Sequence, residues 1–186
     1  MSNPFLRVAV RSWFLVTTRQ QASKRIEKSL ADYLTLAAEL DADTGAKIVR
    51  VPLMPGVDPE MQEWSFFMLM EHNAIVNRSI SALVEHLVEG GPMADAGKID
   101  PKTDTLPKNS AGSEQVEEFR KSVEDYLEMS SGLKRLRKTP TKRHPIFGDF
   151  DAHYWHCMFG FHLMLHFKQA KLVAEGSKEQ AILSKS

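Results

Sequence analysis

Residues 159–169 read FGFHLMLHFKQ, the most apolar stretch of the chain. Within it His162 and His166 stand four residues apart, and on a helix that spacing puts two side chains on one face. Trp155, Phe159, Phe161, Leu163, Met164, Leu165 and Phe167 surround the pair, so both rings are expected to point inward. Each neutral imidazole offers a nitrogen lone pair, and two on one face can grip a single metal ion. Burial sharpens that reading. A polar ring without a partner is costly inside a protein, and a metal is one of the few partners that satisfies two rings at once.

Outward from this stretch, helical periodicity covers most of the chain. The helix holding the pair is expected to begin near 149–151 and to reach about Glu175, before Gly176 and a polar tail over 177–186. A first segment, from about Thr18 to Leu40, repeats Ile26, Leu30, Tyr33, Ala37 and Leu40 at helical spacing. The N-terminal extension, 1–16, either lengthens it or forms a short helix of its own. A second segment is expected from Pro59 or Glu60, capped by Asp58, to about Val88, where Gly90-Gly91-Pro92 stops it. Met68, His72, Ile75, Val76, Ser79 and Leu83 share its apolar face. Ser113 is expected to cap a third, with Val116, Phe119, Val123, Tyr126 and Leu127 as its buried stripe. Glu114, Glu117 and Glu118 open it and Lys134, Arg135, Arg137 and Lys138 close it, as the helix dipole favours. Lys47–Val51 is the one stretch that looks extended.

Four long amphipathic segments predict an all-α fold, an antiparallel four-helix bundle, with residues 1–186 in a single domain. The connection over 90–112 is polar and broken by Pro92, Pro101 and Pro107. Its length permits a parallel neighbour pair, hence an up-down-down-up order.

Composition narrows the function. The 186 residues carry 24 Lys plus Arg against 24 Asp plus Glu, so no global charge draws the chain to nucleic acid or membrane. Nowhere is there the run of roughly 20 apolar residues that a bilayer span needs. Arg7 and Arg11 interrupt the apolar N-terminus, which therefore lacks the clean centre of a secretory signal. A single cysteine, Cys157, excludes an internal disulfide and a Cys-rich zinc site. The expectation is a cytoplasmic protein.

Within a bundle, sites are built from side chains on facing helices. His72 lies on the apolar face of the second long helix, so with His162 and His166 it predicts three imidazoles around one ion, leaving positions open for water or substrate. A core histidine bonded to a backbone carbonyl is the alternative for His72. Trp155 and Phe159 share the face of the pair and are expected to line a pocket, and Gln169 to orient a ligand or a nearby water. His153 is expected to be exposed on the far side of the helix and His156 to lie at the surface or pocket edge. His86 and His144, near a helix end and in a basic proline-flanked loop, are not counted as ligands. Cys157 reads as an inert buried thiol, and the basic run LKRLRKTPTKRH as a solvated helix end. No histidine has Glu three positions before it and no HExxH occurs, which excludes the di-iron carboxylate and zinc-protease patterns. Glu71 adjoins His72 but points about 100° away around the helix, so no general base is assigned.

Trp64, Glu71 and His72 in one helix, with His162, His166 and Gln169 as HxxxHxxQ in the last, resemble the DinB-like, or YfiT-like, superfamily of small bacterial metal-binding bundles. The segment HPIFGDFDAHYWHCMFGFHLMLHFKQ looks like a branch in which HPxFG precedes the last helix. The resemblance covers roughly Trp64–Lys171. It implies Zn²⁺ or Ni²⁺, with Fe²⁺ as a further option, held by His72, His162 and His166. It also implies enzymes that act on small molecules with low-molecular-weight thiols. The expected function is accordingly a metal-dependent enzyme, either a thiol-dependent transferase or a hydrolase using metal-bound water. The alternatives are a bundle that binds metal or a small ligand without turnover, and a scaffold whose histidines are hydrogen-bonded core residues. Met-rich and aromatic faces leave a homodimer open.

Overall fold

Thr18 is where the two N-terminal helices part. Helix α1 (Pro4–Val16) ends just before it and α2 (Arg19–Ala37) begins just after it. The Thr18 hydroxyl accepts the Gln21 N–H while the Gln21 side chain accepts the Thr18 N–H, a reciprocal cap that fixes the break. The segment before residue 17 is thus a separate helix. These details come from a computed structural model that describes residues 4–90 and 104–184, which are mostly helical. Of the expected connection over 90–112, residues 91–103 lie outside the described ones.

A short helix, α3 (Ala42–Gly45), leads into β1 (Val49–Arg50), which pairs antiparallel with β2 (Glu63–Trp64). The extended stretch expected at 47–51 therefore has a partner. That pairing corrects the start of the second long helix. Residues 59–61 form only a 3₁₀ turn, Gln62 exchanges hydrogen bonds with Val51, and Glu63–Trp64 then run extended as β2. Helix α4 (Phe66–Glu89) begins at Ser65, whose hydroxyl accepts the Met68 N–H at 3.2 Å. It ends at Gly90, where a φ of 75° needs a residue without a Cβ.

Helix α5 (Glu114–Gly132) departs from expectation at both ends. Ser113 makes no side-chain capping bond, and Leu133 is already extended. The cations at 134–138 therefore lie beyond the helix. The positive charge at its C-terminus comes instead from Arg19, whose guanidinium donates to the carbonyls of Ser130, Ser131 and Leu133. A hairpin of β3 (Lys142–His144) and β4 (Gly148–Phe150) follows.

Helix α6 (Ala152–Leu183) starts at Asp151, which accepts the Tyr154 N–H at 3.0 Å. It runs straight through Gly176, so the expected polar tail over 177–186 is helical to residue 183. Packing explains this: a Cβ on Gly176 would come within 2.7 Å of Val49, and Ser177 is fully buried. The glycine serves a close approach and does not end the helix.

Helix α6 packs on α1, α2 and α4, while α5 packs on α2 and α4. Gly160 lets α2 approach α6, since a Cβ there would meet Ile26 at 3.1 Å. The buried side of α4 is turned from the expected stripe, with Asn73 and Asn77 inside and Ile75 and Val76 at its margin. Both amides have partners in the core, Asn73 donating to the Tyr33 hydroxyl and Asn77 to that of Ser122. No helix among the described residues is long and apolar enough to cross a membrane.

Candidate metal centre

His72 projects from the first half of α4, and His162 and His166 from the middle of α6. One ligand nitrogen from each of the three falls within 4.8 Å of the others. The ring centroids lie 5.4 Å apart for His72 and His162, 4.8 Å for His72 and His166, and 4.5 Å for His162 and His166. His72 is 2% exposed and His166 3%, while His162 is half-buried. This buried three-histidine cluster could hold a metal ion.

The partners of these rings decide what the cluster can do. His72 Nδ1 donates to the Thr105 carbonyl at 2.7 Å, and His166 Nδ1 donates to Gln169 Oε1 at 3.0 Å. The Gln169 amide is itself oriented by donating from Nε2 to the Met61 carbonyl at 2.6 Å. Each ring that donates from Nδ1 carries its lone pair on Nε2, the form a metal requires. His72 Nε2 is buried and finds no protein partner, and neither does His162 Nδ1. Buried polar nitrogens without partners are uncommon, and a cation is the species three neutral imidazoles suit.

Burial holds all three rings neutral. It pushes His72 down to about 3, helped by the charge His166 would carry and opposed by the Thr105 carbonyl. His162 is driven well below the ordinary range by burial and then by the His166, His72 and His144 rings. His166 is lowered by burial, against the pull of Gln169 and of Asp58. Deprotonated nitrogens at neutral pH are what metal binding needs.

Gln169, expected beside the metal, bonds directly to His166. Replacing it by Leu removes the acceptor that sets the His166 tautomer, so zinc affinity should fall by about 10–100-fold in a calorimetric titration. An unchanged affinity would leave Gln169 a purely structural residue.

The expectations for His153 and His156 need correction. His153 and His156 are buried, 1% and 0% exposed, because α1 and α2 cover the faces of α6 that a lone helix would show to water. His153 bonds the Phe14 carbonyl at 3.2 Å. His156 is held by the Tyr126 hydroxyl at 2.8 Å and by Ser23 at 3.2 Å. Phe159 stacks on Tyr126 at 4.0 Å, which puts its ring in the core between α5 and α6. Trp155 packs against His144 and Phe150. Glu71 is tied up, its Oε2 accepting the Lys108 N–H at 2.7 Å.

Cys157 is fully buried 3.7 Å from His153 Nε2, and burial pushes its thiol up to about 12. A chromogenic disulfide reagent at pH 8 should leave it unmodified in the native protein and titrate one thiol in denaturant. Rapid native reaction would contradict this environment.

Trp64, whose ring lies 5.1 Å from His72, and the Thr105 carbonyl were not anticipated as parts of the site. Trp64 precedes His72 by two helical turns in number and so carried a weak signal. A backbone carbonyl in a connection carries none.

The chain matches no family model, no curated protein and no solved structure.

Proposed function

We propose that the protein is a metal-dependent enzyme of DinB-like type, a four-helix bundle whose His72, His162 and His166 hold one divalent ion and whose substrate is a small molecule attacked by a low-molecular-weight thiol. One observation carries the metal: three imidazoles from two helices each bring a ligand nitrogen within 4.8 Å of the others, and His72 Nε2 and His162 Nδ1 have no protein partner. The donor set is all imidazole, which suits Zn²⁺ and Ni²⁺. The absence of a carboxylate from the trio disfavours the facial pattern of iron oxygenases.

The bundle reading is supported by contacts between helices. Ser23 meets His156 and Tyr33 meets Leu163, which suits parallel α2 and α6. Arg19 reaches the end of α5 while Tyr33 lies on Phe119, which suits antiparallel α2 and α5. Met61, just ahead of α4, meets Gln169 and His72 meets His166, which suits antiparallel α4 and α6. Asn77 bonds Ser122, and the C-terminal ends of α4 and α5 line one cavity around Val88 and Leu133. An up-down-down-up order accommodates all of these.

A divalent ion here would supply Lewis acidity, lowering the pKa of a coordinated thiol or water. The chain's own contribution is to aim the rings through Thr105 and Gln169 and to keep them neutral by burial. The test joins composition to turnover. About one equivalent of metal should accompany the purified protein and be lost in His166→Ala. Conjugation of glutathione, cysteine or a sugar thiol to 1-chloro-2,4-dinitrobenzene should depend on that metal. Bound metal with no turnover for any thiol would overturn the transferase reading, and absence of metal would overturn the site.

A further inference from the structure

His144 was set aside by sequence because it sits in a basic loop, yet the fold packs it among aromatic side chains that include Trp155 of α6. Its ring lies 5.4 Å from that of Trp155, 5.5 Å from Phe150 and 5.0 Å from Phe147. Trp155 lies on α6 seven residues before His162, close to two full turns, and so on the same face. His144 is also near enough for its charge to weigh on His162.

Two hydrogen-bonding facts give this corner a chemistry. The backbone N–H groups of Ile146 and Phe147 both donate to His144 Nδ1, at 3.1 and 3.3 Å. That nitrogen is therefore the acceptor, and the neutral ring carries its proton on Nε2. Burial keeps the ring neutral, pushing it down to about 4. Trp155 is 9% exposed and its indole Nε1–H is buried with no acceptor in the protein. An indole nitrogen can only donate. A buried donor left without a partner needs an acceptor from elsewhere.

We propose that His144 Nε2–H and Trp155 Nε1–H form a donor pair that binds an acceptor oxygen, a carboxylate or a carbonyl, on the small molecule whose other end meets the three-histidine cluster. This deepens the metal reading and rests on it. Seven helical residues span about 10 Å, and both side chains lean toward the N-terminus by the same amount, which keeps that separation. A linear ligand of a few bonds is long enough to bridge that separation, with a soft or anionic head at the cluster and an oxygen at the far end.

Zinc-loaded protein and short thiols provide the test. 3-Mercaptopropionate should bind at least tenfold more tightly than 1-propanethiol, which matches its length but lacks the oxygen. 3-Mercaptopropionamide separates the two sources of the acceptor: a gain shared by the amide points to a carbonyl, and a gain confined to the acid to a carboxylate. The indole N–H resonance of Trp155, identified by its loss in Trp155→Phe, should move downfield on binding of the oxygen-bearing probe and stay with propanethiol. In Trp155→Phe and in His144→Asn the tenfold gap should shrink below about threefold, with zinc affinity unchanged. Asn is chosen because its side-chain oxygen can still accept the Ile146 and Phe147 N–H groups. If zinc binds and the acid and amide gain nothing over propanethiol, or both variants keep the full gap, the donor pair is overturned and the metal site stands. If wild-type protein binds no zinc in calorimetry, the metal reading itself fails and takes this inference with it.

Discussion

Zinc at about a hundredfold above its dissociation constant should raise the thermal midpoint of this protein by about 5–10 °C, and His72→Ala or His166→Ala should abolish the rise. A ligand that binds only the folded state at that ratio contributes about 2.7 kcal/mol, and a chain of this size gains roughly 2–4 °C per kcal/mol. Loss of an imidazole should weaken zinc by more than the 10–100-fold expected for an outer partner such as Gln169. The metal-free protein should answer in the opposite sense. His162 keeps a buried nitrogen without a partner, and such a group costs about 1–3 kcal/mol. His162→Leu, similar in volume and apolar, should therefore stabilise the apoprotein by about 1 kcal/mol or more while removing the response to zinc. Differential scanning calorimetry with and without zinc reads both signs. A histidine whose replacement destabilises the apoprotein and leaves the zinc response intact would be a core residue and no ligand.

Acid should unfold the metal-free protein near pH 4–5. His72, His144 and His156 are held neutral in the fold, down to about 3, about 4 and about 4 respectively, burial being the leading cause in each. An unfolded histidine titrates near 6.5. Between those values the unfolded chain binds more protons than the folded one, so stability rises with pH and is lost as pH falls below about 6.5. By pH 4 a single fully buried ring such as His156 costs ~3 kcal/mol. Two or three of them approach the whole 5–15 kcal/mol that holds a typical domain folded. Circular dichroism of chelator-treated protein across pH 7 to 3 reads the transition, and zinc should move it to lower pH. Stability that stays flat down to pH 4 would show that these rings are protonated without unfolding.

Much of this was legible in the residues. The starts of α2 near Thr18 and of α6 near 149–151, and the end of α4 at Gly90, were legible from local chemistry that acts within a few positions. The three histidines were legible because their periodic neighbours said which way each faced. His153 and His156 were not. A helical wheel gives a direction but not what covers it, and α6 is enclosed on sides that periodicity alone assigns to water. The start of α4 was hidden by β1, since nothing near Pro59 announces that Gln62 is engaged by Val51. Thr105 reaches His72 from a connection, whose course is set by the packed whole.

The carbonyl that aims His72 belongs to that connection, and the adjoining Glu71 clasps the same strap through Lys108. The trio of rings is thus only part of what must be transplanted. Moved to another scaffold without residues 104–108, the first ring would be free to swivel and the grip on an ion would slacken. Trimming or lengthening that strap would retune the grip with every imidazole intact.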